Sequence, residues 1–354
     1  MTFINGIELS KSFHFEFVEP LISNHFPDLH YSSALIGPGS EVLGYDTEMS
    51  ADHDWGPRVI LFLQEREIGM VEKIFHCLKK NAPDEFYGYL VDLNQTVITS
   101  IPRFLKDKLG ADISNELQLI DWLTFPSQVL AEIVGGEVFR DNTRQLMKVR
   151  EQLQFYPQDI WLFLMASTWH RIGQEEHLTL RSGYAGDELG SSVIASRIVR
   201  DIMNLCFLME KQYAPYPKWF GTAFKKLDCA TELLPLLLDV QLASNWKVRE
   251  EALCNAYEYI ACKHNRMGIT DRIDEKVSLF YDRPFRVIQG SKIAQAITKS
   301  IHDPTILKLK ERRLIGGIDQ ITDNTDFRVI NQWRSNMDTT QRNILRLVFD
   351  KILE

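Results

Sequence analysis

Apolar and polar residues follow patterns along the first part of the chain that predict helices and strands in turn. From Phe13 to Phe26 apolar residues recur at helical spacing, and Pro20 predicts a kink or an early end of that helix. A second helical repeat begins at Ile68 and is closed by Pro83. Strands are predicted at Ser33 to Ile36, Val59 to Leu63, Phe86 to Val91 and Thr96 to Ile101. Strands interleaved with helices indicate an α/β or α+β unit over residues 1–140.

After residue 140 the pattern changes to long helical repeats. Asp159 to Arg171 is apolar almost all round, which is typical of a buried helix. Asp187 precedes a long amphipathic repeat and is a suitable N-cap for it. Further helices are predicted at Glu232 to Leu242, Lys247 to His264, Ile293 to Ser300 and Thr340 to Leu353. A lone strand is predicted at Arg283 to Ile288. The sequence therefore predicts an α+β fold with an all-α bundle over residues 141–354.

Composition and charge exclude some classes of binding partner and indicate where the protein is expected to be. The formal net charge is -8 at pH 7, which argues against a duplex nucleic-acid partner because such binders carry basic faces. The N-terminal segment lacks the features of a secretory signal, and no run of about 18 apolar residues predicts a membrane span. The five cysteines are scattered without a CxxC pair, which predicts buried thiols. We expect a cytoplasmic protein with no membrane partner.

Candidate chemistry lies near the N-terminus, where a glycine-rich turn precedes two closely spaced acids. The turn reads Ile36-Gly37-Pro38-Gly39-Ser40, and Asp52-His53-Asp54-Trp55 follows it. Side chains two apart on a strand point to one side, so Asp52 and Asp54 can converge while His53 points away. Carboxylate oxygens suit Mg2+, which is commonly completed by substrate phosphates. The alternative is a polar turn before a strand, because Asp is frequent in turns.

The glycine-rich turn has the properties of a phosphate-binding loop. Gly39 allows backbone amides to approach a phosphate without interference from a Cβ atom, and Ser40 can add a hydroxyl or cap the turn. Two Mg2+ ions about 4 Å apart clamp the attacking and leaving oxygens of an in-line displacement. The turn and the acids together predict phosphoryl or nucleotidyl transfer.

The turn and the acidic pair resemble the nucleotidyltransferase superfamily, whose pattern is Gly-Gly or Gly-Ser, a short gap, and Asp-x-Asp or Asp-x-Glu. Gly39 and Ser40 match the first part, and Asp52 and Asp54 match the second. Four longer runs resemble the bacterial family DUF4037, and a looser likeness surrounds Arg283-Pro284-Phe285. The runs are Gly39 to Arg58, Trp122 to Gln128, Gly186 to Ser191 and Tyr213 to Trp219.

The resemblance implies a nucleotidyltransferase-like mixed sheet in a catalytic domain, residues 1–140, followed by a helical domain, residues 141–354. It implies Mg2+-dependent transfer of NMP, with AMP favoured, from an NTP, with ATP favoured, to a hydroxyl of an unknown acceptor. Asp52 and Asp54 would be the metal ligands and catalytic acids, and Gly39 and Ser40 would bind the nucleotide. A small-molecule acceptor is favoured over a protein side chain or an RNA end, since antibiotic-modifying members carry a helical domain.

Two departures from the superfamily pattern favour a second hypothesis. His53 stands where an apolar residue is usual, and Gly56-Pro57 interrupts the strand, because proline cannot donate to a ladder. The superfamily also tends to carry a third carboxylate on a later strand, and Thr96 to Ile101 contains none. Glu85 and Asp92 are the nearest substitutes as catalytic acids. Without a third acid, the chain would be a catalytically inactive nucleotide-binding sensor or interaction protein.

Lys218 is a further candidate for nucleotide binding. It lies between Tyr216-Pro217 and Trp219-Phe220, an aromatic setting for a lysine. Its ammonium group can bind a triphosphate as a point charge. The alternative is a lysine whose aliphatic stem covers the aromatic rings. The sequence leaves both interpretations open.

A weaker hypothesis concerns charged residues of the helical part. Arg171 and His177 have the spacing of HEPN-type ribonucleases, although such a spacing is also expected by chance. The acids next to His177 would repel RNA phosphates. Arg197 and Asp201 are predicted to form an ordinary i,i+4 pair.

Overall fold

In the computed structural model the described residues are 3–51, 55–111, 117–325, 327 and 341–354, with side chains from residue 345 onward in the last range. They form two compact units. The first unit draws its described residues from Met1–Leu117, Ser127–Gln154 and Val329–Arg342, and the second draws them from Gln118–Pro126, Phe155–Arg328 and Asn343–Glu354. The division therefore falls later than residue 140, and residues 118–126 join the second unit.

A four-stranded mixed sheet forms the centre of the first unit. Its four strands are β1 (Tyr31–Leu35), β2 (Ile60–Leu63), β5 (Val97–Ser100) and β6 (Glu137–Asp141). Two further strands, β3 (Glu85–Phe86) and β4 (Tyr89–Leu90), form a separate hairpin. β1 pairs antiparallel with β2 and β6, and β2 pairs parallel with β5, so the order is β5-β2-β1-β6. The predicted mixed sheet and α+β class are confirmed.

The register of the sheet brings several strand ends together. Ala34 is opposite Ile60, Leu35 is opposite Glu137, and Ile60 is opposite Val97. The carboxyl end of β1 therefore lies beside the amino ends of β2, β5 and β6. We call this the turn end of the sheet, because the Gly37–Ser40 turn leaves β1 there.

Both faces of the sheet are covered by apolar side chains. Val59, Leu61 and Leu63 belong to one buried cluster with Phe13, whereas Phe62 contacts Phe104 edge to face with ring centroids 5.3 Å apart. Residues on alternate positions of a strand point to opposite faces, so the continuous apolar run of β2 is buried on both sides. The helices of the unit are α1 (Gly6–Phe13), α2 (Glu19–His25), α3 (Val71–Asn81), α4 (Ile101–Leu109), α5 (Ser127–Val134) and α6 (Gln145–Gln152).

Two predicted elements of the first unit differ in the structure. The segment from Phe86 to Val91 is a hairpin rather than one strand, because Tyr87 and Gly88 adopt positive φ angles of 51° and 81° and reverse the chain. Pro20 does not end the first helical region. It occupies the first turn of α2, where a proline is tolerated, and a π-helical segment, His14–Val18, joins α1 to α2.

The second unit is predominantly helical. Its helices are α7 (Gln158–Tyr184), α8 (Glu188–Met209), α9 (Pro217–Phe224), α10 (Ala230–Leu242), α11 (Trp246–Arg266), α12 (Gly290–Thr298), α13 (Pro304–Arg312), α14 (Ile318–Ile321) and α15 (Gln341–Leu353, which starts in the first unit). α7 packs against α8 and α12, and α10 packs against α11. The side chain of Asp187 accepts a hydrogen bond from Gly190 N at 2.8 Å, so its predicted role as the N-cap of α8 is confirmed.

The predicted lone strand at Arg283 to Ile288 is part of a short ribbon. Strand β7 (Ser278–Leu279) pairs antiparallel with β8 (Arg286–Val287). The helical unit therefore contains one small two-stranded element. Among the helices of the described residues, none is both long and apolar enough to cross a membrane.

Within the second unit, side-chain contacts join residues that are far apart in the sequence. Arg346 of α15 forms an ion pair with Asp121 and donates to Gln118 Oε1 at 2.6 Å. Asp121 is buried at 5% exposure, so the guanidinium group compensates a charge that would otherwise be costly to bury.

Candidate functional site

The turn that leaves β1 has a backbone that requires glycine at two positions. Gly37 and Gly39 have φ angles of 90° and 134°, which L-residues with a side chain rarely adopt. Gly37 N donates to Glu132 O at 2.8 Å, which fixes the start of the turn to α5. The hydroxyl of Ser40 donates to Ser50 Oγ at 3.2 Å. The turn is therefore ordered by its own backbone and by contacts on both sides.

Gly39 also has no room for a side chain. A Cβ atom built on it would lie 2.5 Å from Arg58 Nη2 and 2.6 Å from Glu41 Oε2. The expected reason for glycine was the approach of a phosphate to the backbone. The structure adds a second reason, which is that Arg58 and Glu41 lie directly against Gly39.

Arg58 and Glu41 form a buried ion pair beneath the turn. Arg58 Nη2 lies 2.5 Å from Glu41 Oε1, and the two side chains are 8% and 0% exposed. Burial raises the pKa of Glu41, while the neighbouring Arg58 charge opposes that shift. Removing one partner of such a pair costs about 3–5 kcal/mol, because the other charge stays buried without compensation.

The same guanidinium group holds the backbone of the turn. Arg58 Nη2 donates to Pro38 O at 2.6 Å. Because the C=O and N–H of a trans peptide point in opposite directions, the N–H of Gly39 points away from Arg58. Within the described part of the chain, the N–H groups of Gly39 and Ser40 donate to no protein acceptor. Successive backbone N–H groups left open in this way are suited to an anion.

Both flanks of the predicted acidic segment are bonded to the first helix. Asp46 accepts hydrogen bonds from Gly6 N at 2.8 Å and from the indole N–H of Trp55 at 3.1 Å. Ser10 Oγ donates to Gly56 O at 3.1 Å. Asp52 and Asp54, the predicted metal ligands, and His53 between them lie outside the described residues.

Lys108 is a residue near the turn that sequence reasoning missed. It lies on α4 and is 7% exposed. Its Cε atom is 3.7 Å from the position that a Cβ atom on Gly37 would take, so the end of its side chain lies beside the turn. The available signal was periodicity, because Lys108 continues the buried stripe of Ile101, Phe104 and Leu105 on α4.

The two predicted substitutes for a third acid lie on or next to the β3–β4 hairpin. Glu85 is exposed on β3. Asp92 is the N-cap of a short 3-10 turn and accepts from Asn94 N at 3.0 Å and Asn94 Nδ2 at 2.9 Å. Strand β5, which pairs with β2, contains no acid, as expected for Thr96 to Ile101. Glu85 and Asp92 as catalytic acids stay predictions.

Lys218 belongs to the helical unit. It is exposed in the first turn of α9, and its Nζ atom lies 4.9 Å from the centroid of the Trp219 ring. This geometry is a cation–π contact. A role of Lys218 in nucleotide binding stays a prediction.

The residues of the ribonuclease hypothesis have structural partners. Arg171 forms an ion pair with Asp201 and donates to Gln320 O at 2.8 Å. His177 stacks on Phe280 with ring centroids 4.3 Å apart. Arg197 makes its direct ion pair with Glu175 at 2.7 Å. Burial raises the pKa of the predicted partner Asp201, and the charge of Arg197 also acts on that carboxyl by lowering its pKa. These contacts give Arg171 and His177, which are both half-buried, structural partners within the helical unit.

Among the described residues, no cluster of three or more His, Cys, Asp and Glu side chains is placed to hold a metal ion. Both acids predicted to bind Mg2+ lie outside that set. The described part of the candidate site therefore consists of the turn with its open amides, the Arg58–Glu41 pair and Lys108.

Comparison with known proteins supports the family resemblance over part of the chain. Residues 122–220 match the family model described as "Domain of unknown function (DUF4037)". Three of the four runs that resemble this family fall inside the match, whereas Gly39 to Arg58 precedes it. The predicted resemblance is confirmed over those residues.

A solved structure of a nucleotidyltransferase-like protein from Exiguobacterium sibiricum 255-15 is also similar to this chain. The similarity covers 83% of this chain and 89% of the other, with 8% sequence identity and a TM-score of 0.33. No curated protein gives a significant match.

Proposed function

We propose that this chain is a nucleotidyltransferase that transfers NMP from an NTP to a hydroxyl of an acceptor molecule. The observation that carries the proposal is the Gly37–Ser40 turn, whose Gly39 and Ser40 amides are open at the turn end of the sheet. The Asp52-x-Asp54 pair follows this turn in the sequence with the order and spacing typical of the superfamily.

Each part of the proposed site has one task. The amides of Gly39 and Ser40 bind phosphate oxygens, because backbone donors need no reorganisation to meet an anion. Lys108 supplies positive charge beside Gly37. Asp52 and Asp54 supply carboxylates for Mg2+, which would stabilise negative charge on the phosphates when bound.

The finer assignments follow from the resemblance and the charge of the chain. AMP is the favoured group to be transferred, with ATP as its source. A small-molecule acceptor is favoured over a protein or RNA, because the net charge of -8 suits a cationic small molecule and disfavours a polyanion. Lys218 is retained as a second nucleotide-binding residue.

A catalytically inactive nucleotide-binding protein is the second candidate function. It is favoured by β5, which lies next to β2 and consists of Val97, Ile98, Thr99 and Ser100, without a carboxylate. A chain with this feature would bind NTP at the turn without releasing pyrophosphate.

Pyrophosphate release separates the two functions. Wild-type protein is incubated with each labelled NTP, Mg2+ and a panel of hydroxyl-bearing acceptors, and compared with Asp52→Asn/Asp54→Asn. The matched control is Asp28→Asn/Asp84→Asn, which removes two exposed carboxylates from the same unit. Release by wild type and control, but not by the Asp52/Asp54 variant, supports the transferase. Binding of NTP by wild type without release supports the inactive protein, and a wild type that neither binds NTP nor releases pyrophosphate removes both.

A further inference from the structure

We propose that Arg58 and Glu41 are positioning residues that set the direction of the Gly39 amide and thereby the affinity of the turn for a triphosphate. This inference rests on the proposed function of the turn and assigns a task to two residues outside the Gly-Ser and Asp-x-Asp pattern. Neither side chain needs to touch the nucleotide for this role.

The first step is the way in which one nitrogen atom joins two parts of the turn. Arg58 Nη2 carries two hydrogens, and it donates to Pro38 O at 2.6 Å and to Glu41 Oε1 at 2.5 Å. Pro38 precedes the open amides, and Glu41 follows them. The guanidinium group of Arg58 therefore bridges the residue before the open amides and the residue after them.

The second step is the effect on the peptide between Pro38 and Gly39. As long as Pro38 O is bound by Arg58, the Gly39 N–H points to the opposite side of the peptide plane. If that hydrogen bond is lost, rotation of the peptide carries the N–H away from the anion. The positive φ of Gly39 makes such rotation easy, because glycine accepts many backbone conformations.

The third step is that Arg58 is itself held in place. Its backbone N–H donates to Ser10 Oγ at 3.4 Å, and Ser10 Oγ also bonds Gly56 O at 3.1 Å. Ser10 is completely buried on α1. Helix α1 therefore positions Arg58, Arg58 positions the peptide, and the peptide positions the amide.

A buried ion pair is a costly way to stabilise a core, since apolar residues of similar volume often do as well or better. The advantage of the Arg58–Glu41 pair is that it fixes the direction of a hydrogen bond to the turn. The guanidinium group fixes a hydrogen-bond geometry that an apolar side chain does not provide. Replacing both charges together should therefore preserve the fold better than replacing one, while releasing the peptide.

The test compares Arg58→Met/Glu41→Gln with wild type in the full chain. The control is Arg103→Met/Glu65→Gln, which removes an exposed Arg–Glu pair of the same unit with a 3.6 Å separation. Binding of ATP and of inorganic tripolyphosphate, each with Mg2+, is measured by calorimetry, and thermal unfolding is followed by circular dichroism. We expect the double variant to unfold cooperatively and to bind both ligands about tenfold more weakly or worse, with the control unchanged.

Arg58→Lys provides a second variant that keeps the buried positive charge. We expect it to fold and to lose affinity in the same direction, because a lysine does not reproduce the fixed geometry of the guanidinium group. Where turnover is measured, KM for ATP should rise about tenfold while kcat changes much less. A general loss of structure would lower kcat as well.

The outcomes distinguish this inference from the function on which it rests. If wild type and control bind ATP and a folded double variant or Arg58→Lys binds it equally well, Arg58 does not position the turn, and the proposed function stands. If wild type binds neither ATP nor tripolyphosphate, the proposed function is lost and this inference with it.

Discussion

The indole N–H of Trp55 donates to the carboxylate of Asp46 at 3.1 Å. In the sequence, these two residues stand on either side of the segment that contains Asp52 and Asp54. Trp55 also stacks on Phe3 with ring centroids 5.5 Å apart. Trp55 is thereby attached to the residues that precede α1.

Replacing Asp46 with Asn should weaken this hydrogen bond and the other two that Asp46 accepts. Asp46 accepts from Asn5 Nδ2 at 2.6 Å, from Gly6 N and from Trp55, and an amide leaves at least one of these donors facing an NH2 group. We expect a loss of about 1–3 kcal/mol in the free energy of unfolding, measured in urea. Asp28→Asn, at an exposed position, is the control. Equal stability of both variants would show that Asp46 is dispensable for the fold.

Gly39→Ala should be more damaging than Gly44→Ala. Both glycines have positive φ, but a Cβ atom on Gly44 meets nothing within 4 Å, whereas one on Gly39 collides with Arg58 and Glu41. An alanine is also more strained at the φ of 134° of Gly39 than at the φ of 70° of Gly44, so backbone strain and the collision act in the same direction. We expect Gly39→Ala to be at least about 2 kcal/mol less stable than Gly44→Ala and to lose ATP binding. Similar free energies of unfolding for the two variants would show that Arg58 and Glu41 can move away from an alanine side chain at little cost.

Lys108→Met should lower ATP affinity. Methionine fits the buried stripe of α4 and removes the charge at the end of the side chain. We expect affinity to fall about tenfold, the effect of one charge-assisted hydrogen bond. Lys106→Met, on an exposed position of the same helix, is the control. The prediction is contradicted if Lys108→Met binds ATP like Lys106→Met.

The stability of the helical unit should depend on the charge of Glu176. Burial raises the pKa of Glu176 from 4.5 to about 7, although the carboxylate accepts from Ile288 N at 2.7 Å and Gly290 N at 3.2 Å. A carboxyl whose folded pKa is raised binds more protons in the folded state than in the unfolded state. Its contribution to stability is therefore full below about pH 4.5 and is lost as pH rises to about 7.

Glu176→Gln tests this dependence, since an amide does not titrate. The stability difference between wild type and variant should change by about 3 kcal/mol between pH 4 and pH 8, in the direction that disfavours wild type at high pH. His264, whose pKa is lowered to about 4, acts in the opposite direction but is common to both proteins and cancels. A difference that does not vary with pH would show that Glu176 titrates normally.

The sequence predicts the sheet well because its central strands carry an unambiguous signal. β1 and β2 are short runs of buried residues, bounded by turn residues, and both are found within two residues of the predicted limits. The hairpin of β3 and β4 was missed because its reversal depends on a left-handed Tyr87, and tyrosine is not a residue that announces such a turn. The neighbouring Gly88 was the available signal.

The sequence predicts only part of the candidate site, because some of its contacts join residues that are not neighbours in the sequence. Gly39 and Ser40 are recognised by their local pattern, and the structure places them in a turn that requires glycine. The pairing of Glu41 with Arg58 joins residues that are distant in the sequence, and hydrophobic periodicity contains no information about it. Arg58 stands inside a run that resembles DUF4037, but the resemblance alone did not indicate what its side chain contacts.

The ion pair between Arg346 and Asp121 has a consequence for biosynthesis. Residues 118–126 leave the ribosome long before residues 343–354, yet both belong to the second unit. Contacts between residues so distant in sequence form slowly, because a long loop must close first. Until α15 arrives, the buried carboxylate of Asp121 lacks its guanidinium partner. The helical unit therefore completes its folding only after the synthesis of α15.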